Sequence, residues 1–439
     1  MAFTRRSALA AIGGLAATPA LGAATGAQMA WAQAGGYLPG GGGPAGTGRL
    51  LPGLEFLDAI VPAVMADHGL AGASVAIAKD GKLKAARGYG FAVVETAQPM
   101  LPTSLLCLAS VSKVMTAQTI LKLAGQGQLS LNDSAYGFFP DLRPVLGMQE
   151  DPRLPDITVQ MLLHHSGGWD RTKSGDPNGW GPRIARAMGL GQPPTVMDMV
   201  RYMKGIPLDF TPGTDTVYSN FGFVLLGAII MKVTGQPYGT AVQQLMLAPM
   251  GVRRMRIDGL PPQYLDGEAH RYAAGGEHPL PGGHPVMTNP AGGWLADAVE
   301  MAWVMTAIDG SRSGTPFLPP AMVRAMLSPP PGLPPRASGT YFGMGWDEVV
   351  PPGPGARAGG DPLAGYQYGK DGGLPGISTW VQHLPNGVDW ALLINSSASH
   401  GQGAPIGPVK AQLVPRLQSM AAWPDGDLFG AFVGDVSAS

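Results

Sequence analysis

Cysteine is almost absent from this chain: Cys107 stands alone among 439 residues, so no internal disulfide can form. Charge is sparse as well, at 13% of residues with a formal net charge of -1, and Lys and Arg do not cluster. Without a concentrated basic face nothing can neutralise a phosphate backbone, so nucleic acid is excluded as the expected partner. Past the N-terminus no apolar run reaches the ~20 residues of a membrane-spanning helix. Two hydrolase signatures are also missing. The eight histidines form no His-Glu-x-x-His, and His164-His165-Ser166-Gly167-Gly168 lacks the first glycine of Gly-x-Ser-x-Gly. Adjacent His164 and His165 cannot easily face one ion, so no metal and no cofactor is expected. His164 reads instead as a loop-fixing residue and Ser166 as structural.

Hydrophobic residues make up 45% of the chain, enough for a large packed core, while 66 Gly and 43 Pro place much of it in turns and loops. Met1 to Ala32 carries Arg5-Arg6, then the small apolar run Ser7 to Ala24, then Ala30-Trp31-Ala32. That layout predicts an export signal of the twin-arginine type, cleaved near Gln33. The mature protein is then expected outside the cytoplasm, periplasmic or secreted, with no stable membrane insertion. Residues 33–49 are too poor in apolar groups to pack and read as a Gly-rich linker. The folded domain is expected over 50–422, followed by a tail at 423–439.

Glu55 to His68 places Phe56, Leu57, Ile60, Val61 and Val64 at helical spacing. Ala73 to Ala78 alternates into the turn Lys79-Asp80-Gly81-Lys82, so a hairpin should follow that helix. Helical periodicity returns over Ser112 to Leu123. From about 130 to 335 short helices, among them Thr158 to His164, Asn220 to Thr234 and Asp297 to Ile308, alternate with Gly/Pro-rich loops. Strand-like runs resume at Thr340 to Val349, Ile377 to Leu384 and Val388 to Asn395, the last two joined by Pro385-Asn386-Gly387. A closing helix fits Ile406 to Met420. The order predicts an α+β fold of two subdomains: one antiparallel sheet built from both ends of the chain, flanked by terminal helices, with an inserted helical subdomain on one side. The cleft between the parts is the expected site.

In Ala109-Ser110-Val111-Ser112-Lys113 a serine precedes a lysine by three residues at the head of a predicted helix, so both side chains lie on one face. A serine hydroxyl needs a neighbouring base, and lysine can serve if burial or another cation lowers its pKa. Alone, Ser-x-x-Lys is a weak signal. Its companions are Tyr218-Ser219-Asn220, just before the apolar helix Phe223 to Val233, and Lys370-Asp371-Gly372-Gly373, between strand-like runs.

In that order the three segments resemble the serine β-lactamase and penicillin-binding superfamily. Leu162 to Gly168, Phe210-Thr211-Pro212-Gly213, Tyr218 to Phe223 and Gly372 to Gly376 are similar to its β-lactamase-related esterase and D-peptidase branch, over roughly residues 50 to 420. The resemblance implies a β-lactamase-like fold and a serine hydrolase. Ser110 would be the nucleophile, Lys113 and a Tyr218 phenolate would carry protons, and the Ser110 and Gly373 N–H groups would form the oxyanion hole. Asn220, Lys370, Asp371 and Gly372 would bind substrate. Asp371 departs from the pattern, standing where the family usually has Thr or Ser to bind a substrate carboxylate. Facing the cleft it would repel penicillins, but strand alternation leaves its side open.

The resemblance makes a small ester, amide or peptide the expected substrate, with an esterase leading and a β-lactamase or D-amino-acid peptidase as alternatives. A penicillin-binding receptor or inactive interaction domain is the alternative of another class. Cys107 reads as a buried inert thiol, and Trp169, Trp294, Trp346 and Trp380 as core residues or walls of an acyl pocket.

Overall fold

The computed structural model describes residues 46–273, 279–313, 316–353, 363–397 and 405–433. The expected export signal and residues 33–45 lie outside them. The main sheet uses β1 (Thr47–Leu50), β2 (Gly72–Lys79), β3 (Lys82–Val93), β4 (Tyr341–Gly343), β5 (Trp346–Val350), β6 (Gln367–Leu374), β7 (Ile377–Leu384) and β8 (Val388–Ile394). They pair antiparallel in the order β1-β3-β2-β8-β7-β6-β5-β4, with Gln98–Pro99 added beside β3. Pairing of β2 with β8, in the register Val75 to Leu392, joins the two ends of the chain.

The helices of eight residues or more are α1 (Leu57–His68), α2 (Ser112–Gly125), α3 (Gly181–Met188), α4 (Val196–Met203), α5 (Asn220–Thr234), α6 (Ala298–Asp309) and α7 (Ile406–Ser419). Alternation along the strands assigns the faces. Val75, Ile77, Trp390 and Leu392 pack with Leu57, Val61 and Val64 of α1 and with Val409, Leu413 and Leu417 of α7. Their neighbours Ala76, Ala78, Ala391 and Leu393 turn to the other face and join a core shared with α2, α5 and α6. No single helix among the described residues is long and apolar enough to cross a membrane.

Four features differ from the sequence expectation. Thr47–Leu50 is a strand paired with β3, so the sheet reaches into the segment read as linker. The run Thr340 to Val349 is a hairpin, because Gly345 takes a φ of 89° and turns β4 back against β5. The segment Lys370 to Gly373 lies within a strand rather than between strands. Glycine hides β6 from propensity reading, yet a Cβ at Gly372 would lie 2.2 Å from Thr379 Oγ1 and 2.3 Å from Leu108 O. Finally α6, read as part of the insertion, lies against β2 and β8, consistent with its being apolar on nearly every side. The described end of the chain is docked too: Phe429 is buried against Trp303, and Lys84 Nζ donates to the carbonyls of Pro424 and Gly426.

Candidate active site

Ser110 sits in a single tight turn, Ala109–Val111, that runs directly into α2. Ala109 adopts a φ of 47°, a left-handed backbone that costs a non-glycine residue roughly 1–3 kcal/mol and so must be held by its surroundings. It is held from both sides. Leu108 N–H donates to Trp294 O at 2.8 Å, and Thr379 Oγ1 on β7 donates to Leu108 O at 2.8 Å. One turn into the helix, Lys113 is fully buried, with Nζ 3.1 Å from Ser110 Oγ, 2.8 Å from Asn220 Oδ1 and 2.7 Å from Ala291 O. Burial, then the positive charge of Lys370, holds the Lys113 amine well below the ordinary lysine range. A neutral amine has two N–H groups for Asn220 and Ala291 and one lone pair for the Ser110 hydroxyl, which is the geometry of a base.

Tyr218 approaches from the other subdomain, and its hydroxyl donates to Ser110 Oγ at 2.7 Å. Its position follows from a helix start: Ser219 is the N-cap of α5, accepting from Gly222 N at 3.2 Å, so Tyr218 stands just before the helix and Asn220 begins it. His165 supports the tyrosine from behind, its ring centroid 4.6 Å away. Its Nδ1 accepts from Ser219 N at 3.1 Å, and burial with nearby Lys370 and Lys113 keeps the imidazole neutral. The expected phenolate is not the resting state. Burial raises Tyr218 to about 12 against the pull of Lys370, so it is a phenol donating its proton.

Lys370 on β6 is fully buried, its Nζ 4.8 Å from the Tyr218 ring centroid and 2.5 Å from Asp347 Oδ1. Burial opposes its charge, and Asp347 more than offsets that, so it stays protonated. Asp371 lines the same cleft, which answers the question of which side it faces. Burial, opposed by Lys370 and reinforced by Asp371, raises Asp347 to about 7, whereas a hydrogen bond from Asp347 holds Asp371 below the usual carboxylate range. Asp347 Oδ2 is buried without a hydrogen-bond partner among the described residues.

The cleft has a volume of about 560 Å³. Gly373 lines it, and a Cβ there would meet nothing within 4 Å, so its backbone is open to a ligand. Gly372 is behind it, its missing Cβ letting β6 approach Ser110 N. Both ends of the Asn220 amide are engaged, Oδ1 by Lys113 and Nδ2 by Asp176 at 2.6 Å, so this residue orients the base as well as facing the cleft. The structure thus brings together Ser110, Lys113, Tyr218, Asn220, Lys370, Asp371, Gly372 and Gly373. Sequence reasoning missed Asp347, Asp176 and His165. The signal for Asp347 was the acidic pair Asp347-Glu348 inside the otherwise apolar run Tyr341 to Val349; Asp176, in a loop, gave none. His164 does fix a loop, bonding Phe342 O at 2.9 Å, but its neighbour His165 is the one that touches the tyrosine. Trp169, Trp294, Trp346 and Trp380 are all buried in the core, and burial raises the Cys107 thiol to about 12, leaving it inert.

A serine braced by a neutral lysine and a tyrosine, at the head of a helix between an antiparallel sheet and a helical subdomain, defines a serine hydrolase of the penicillin-binding type. The Beta-lactamase family model matches residues 57–413, and the chain belongs to that family. It is 29% identical over 373 residues to "Esterase EstB" of Burkholderia gladioli, spanning 80% of this chain and 92% of that one. Among solved structures it is similar to the octameric penicillin-binding protein homologue from Pyrococcus abyssi, with a TM-score of 0.62, 23% identity, and 83% and 78% of the two chains covered. The D-amino acid amidase from Ochrobactrum anthropi SV3 gives a TM-score of 0.61, 21% identity, and 83% and 98% coverage.

Proposed function

We propose that this hydrolase cleaves carboxylic esters through an acyl-enzyme on Ser110. The observation that carries the reading is the convergence on Ser110 Oγ of a lysine at 3.1 Å and a tyrosine hydroxyl at 2.7 Å, with the lysine kept neutral by burial. Lys113 takes the Ser110 proton as Oγ attacks the carbonyl carbon. The oxyanion that forms is received by the N–H groups of Ser110 and Gly373, each such donor contributing about 3–4 kcal/mol. Collapse breaks the bond to the leaving oxygen, which takes a proton from Tyr218, and the Lys113 ammonium restores that proton. Water then repeats the sequence on the acyl-enzyme, releasing the acid and freeing Ser110.

An ester is favoured over a β-lactam by Asp371, an exposed carboxylate where the family's hydroxyl would receive a substrate carboxylate. The extended likeness to an esterase supports the same choice. The test is turnover of p-nitrophenyl butyrate and of the cephalosporin nitrocefin by wild type and Ser110→Ala. Ester cleavage that vanishes in the variant, with little nitrocefin cleavage, is the expected outcome. Rapid nitrocefin cleavage would make the enzyme a β-lactamase, and inertness toward both would point to D-peptides. The compartment proposed from residues 1–32 is outside the cytoplasm, which cell fractionation checks.

A further inference from the structure

At the far end of the sheet from Ser110 a second group of ionisable side chains is buried. His383 on β7 faces Asp389 on β8 across the hairpin, and Asp309, the last residue of α6, reaches the same point. His383 lies five residues along β7 from Ser378, the residue paired with Gly373, so the cluster is about 17 Å from the oxyanion end of the strand. His383 Nδ1 is 2.9 Å from Asp389 Oδ1 and 3.5 Å from Asp309 Oδ2, and the ligand atoms of the three residues all lie within 4.8 Å of one another.

Among the described residues the two carboxyls have few donors. Asp389 is fully buried and its carboxyl lies against that of Asp309, yet Asp389 Oδ2 has no hydrogen-bond partner. Asp309 Oδ1 accepts from Ser311 N at 2.7 Å, leaving Oδ2 turned to the histidine. One imidazole nitrogen therefore faces oxygens of two carboxylates. The charge is equally unbalanced: Asp80 adds a third acid nearby, and Lys79, the cation acting on Asp389, is itself paired with Asp80 at 2.6 Å. Two buried carboxyls crowded on one imidazole, one of them with a bare oxygen, are a setting that a bound cation would relieve.

We infer that Asp309, His383 and Asp389 form a structural site for a divalent first-row cation of the Zn²⁺ type, distinct from the catalytic cleft. Two carboxylate oxygens and one imidazole nitrogen are a donor set such ions accept, and bonds of about 2.0–2.2 Å in tetrahedral array put ligand atoms about 3.3 Å apart. The observed 2.9 and 3.5 Å bracket that spacing. Supporting contacts are in place: the Tyr368 ring stacks on His383 at 4.8 Å and 12°, and Ser311 N fixes the Asp309 carboxylate. An opening of about 370 Å³ lined by Asp80, Asp309, His383 and Gly387 gives the ion and its waters a path. The ion would pin the end of α6 to the β7–β8 hairpin.

The test is isothermal titration of the full chain, freed of metal with EDTA, with Zn²⁺ and then with Mn²⁺ and Ca²⁺. The expected result is one equivalent of Zn²⁺, weakened at least tenfold in both His383→Gln and Asp309→Asn, while Ser110-dependent ester turnover is unchanged. Absence of saturable Zn²⁺ binding by the wild type, or binding undiminished in both variants, overturns the site. Should the variants fail to fold, Co²⁺ loading of the wild type decides: a d–d absorption band saturating at one equivalent and displaced by Zn²⁺ supports it, and no band overturns it.

Discussion

The two ends of β7 bury charge in opposite ways. Near Ser378 the cleft holds two lysines, and each has named partners: Lys113 has Ser110, Asn220 and Ala291, and Lys370 has Asp347. Near His383 two carboxyls crowd one imidazole, and among the described residues an Asp389 oxygen is left bare. The first end uses one buried cation to lower the pKa of another, which makes a base, and carboxylates close the circuit. At the second, the described cation acting on Asp389 is Lys79, itself paired with Asp80. Each end leaves one carboxylate oxygen bare, but only the first sets a lysine of lowered pKa against a serine hydroxyl, the pair that can move a proton.

Breaking the catalytic end should give the largest effects. Ser110→Ala is expected to lower ester kcat/KM by at least ~10³-fold, since the residual rate rests on binding and the oxyanion donors alone. Lys113→Arg sharpens the point, because it puts a permanent cation where the base has to be neutral. A loss of ~10²–10⁴-fold is expected in initial rates. Near-normal activity would show that Lys113 supplies charge rather than a proton acceptor. In the wild type the base works only when neutral, so kcat/KM should rise with pH through the lowered pKa of Lys113 and level off below the ordinary lysine range.

Gly372→Ala probes how closely β6 approaches the nucleophile. The added Cβ would lie 2.2 Å from Thr379 Oγ1 and 2.3 Å from a backbone carbonyl, so a stability loss of ~1–3 kcal/mol by denaturant unfolding is expected. The smallest effect concerns specificity. Asp371→Thr should raise nitrocefin cleavage about tenfold with ester turnover little changed, the size of change that removing ~1.4 kcal/mol of repulsion produces. An unchanged nitrocefin rate would show that Asp371 does not select against carboxylates.

Much of this was legible in the sequence because it was local or periodic. Ser110 and Lys113 declare themselves by three-residue spacing, Tyr218 and Asn220 by standing around a helix N-cap, and β7 and β8 by alternation around Pro385-Asn386-Gly387. What could not be read depends on contact across the chain. Asp347 meets Lys370 only because β5 pairs with β6, and Asp176 reaches Asn220 from a loop without periodicity. The β6 strand was hidden because its glycines, needed where β6 crosses Leu108 and Trp380, erase the propensity that marks a strand. The resting charge of Tyr218 was misjudged for a related reason: two nearby lysines suggested a phenolate, but one is neutral and burial outweighs the other.

The most direct test of the catalytic assignment is to trap the intermediate. Wild-type enzyme quenched in acid during turnover of p-nitrophenyl butyrate should show, by intact mass and peptide mapping, one butyryl group on Ser110, absent from Ser110→Ala. An acyl group on another residue such as Ser166, or steady ester turnover by Ser110→Ala, would contradict it.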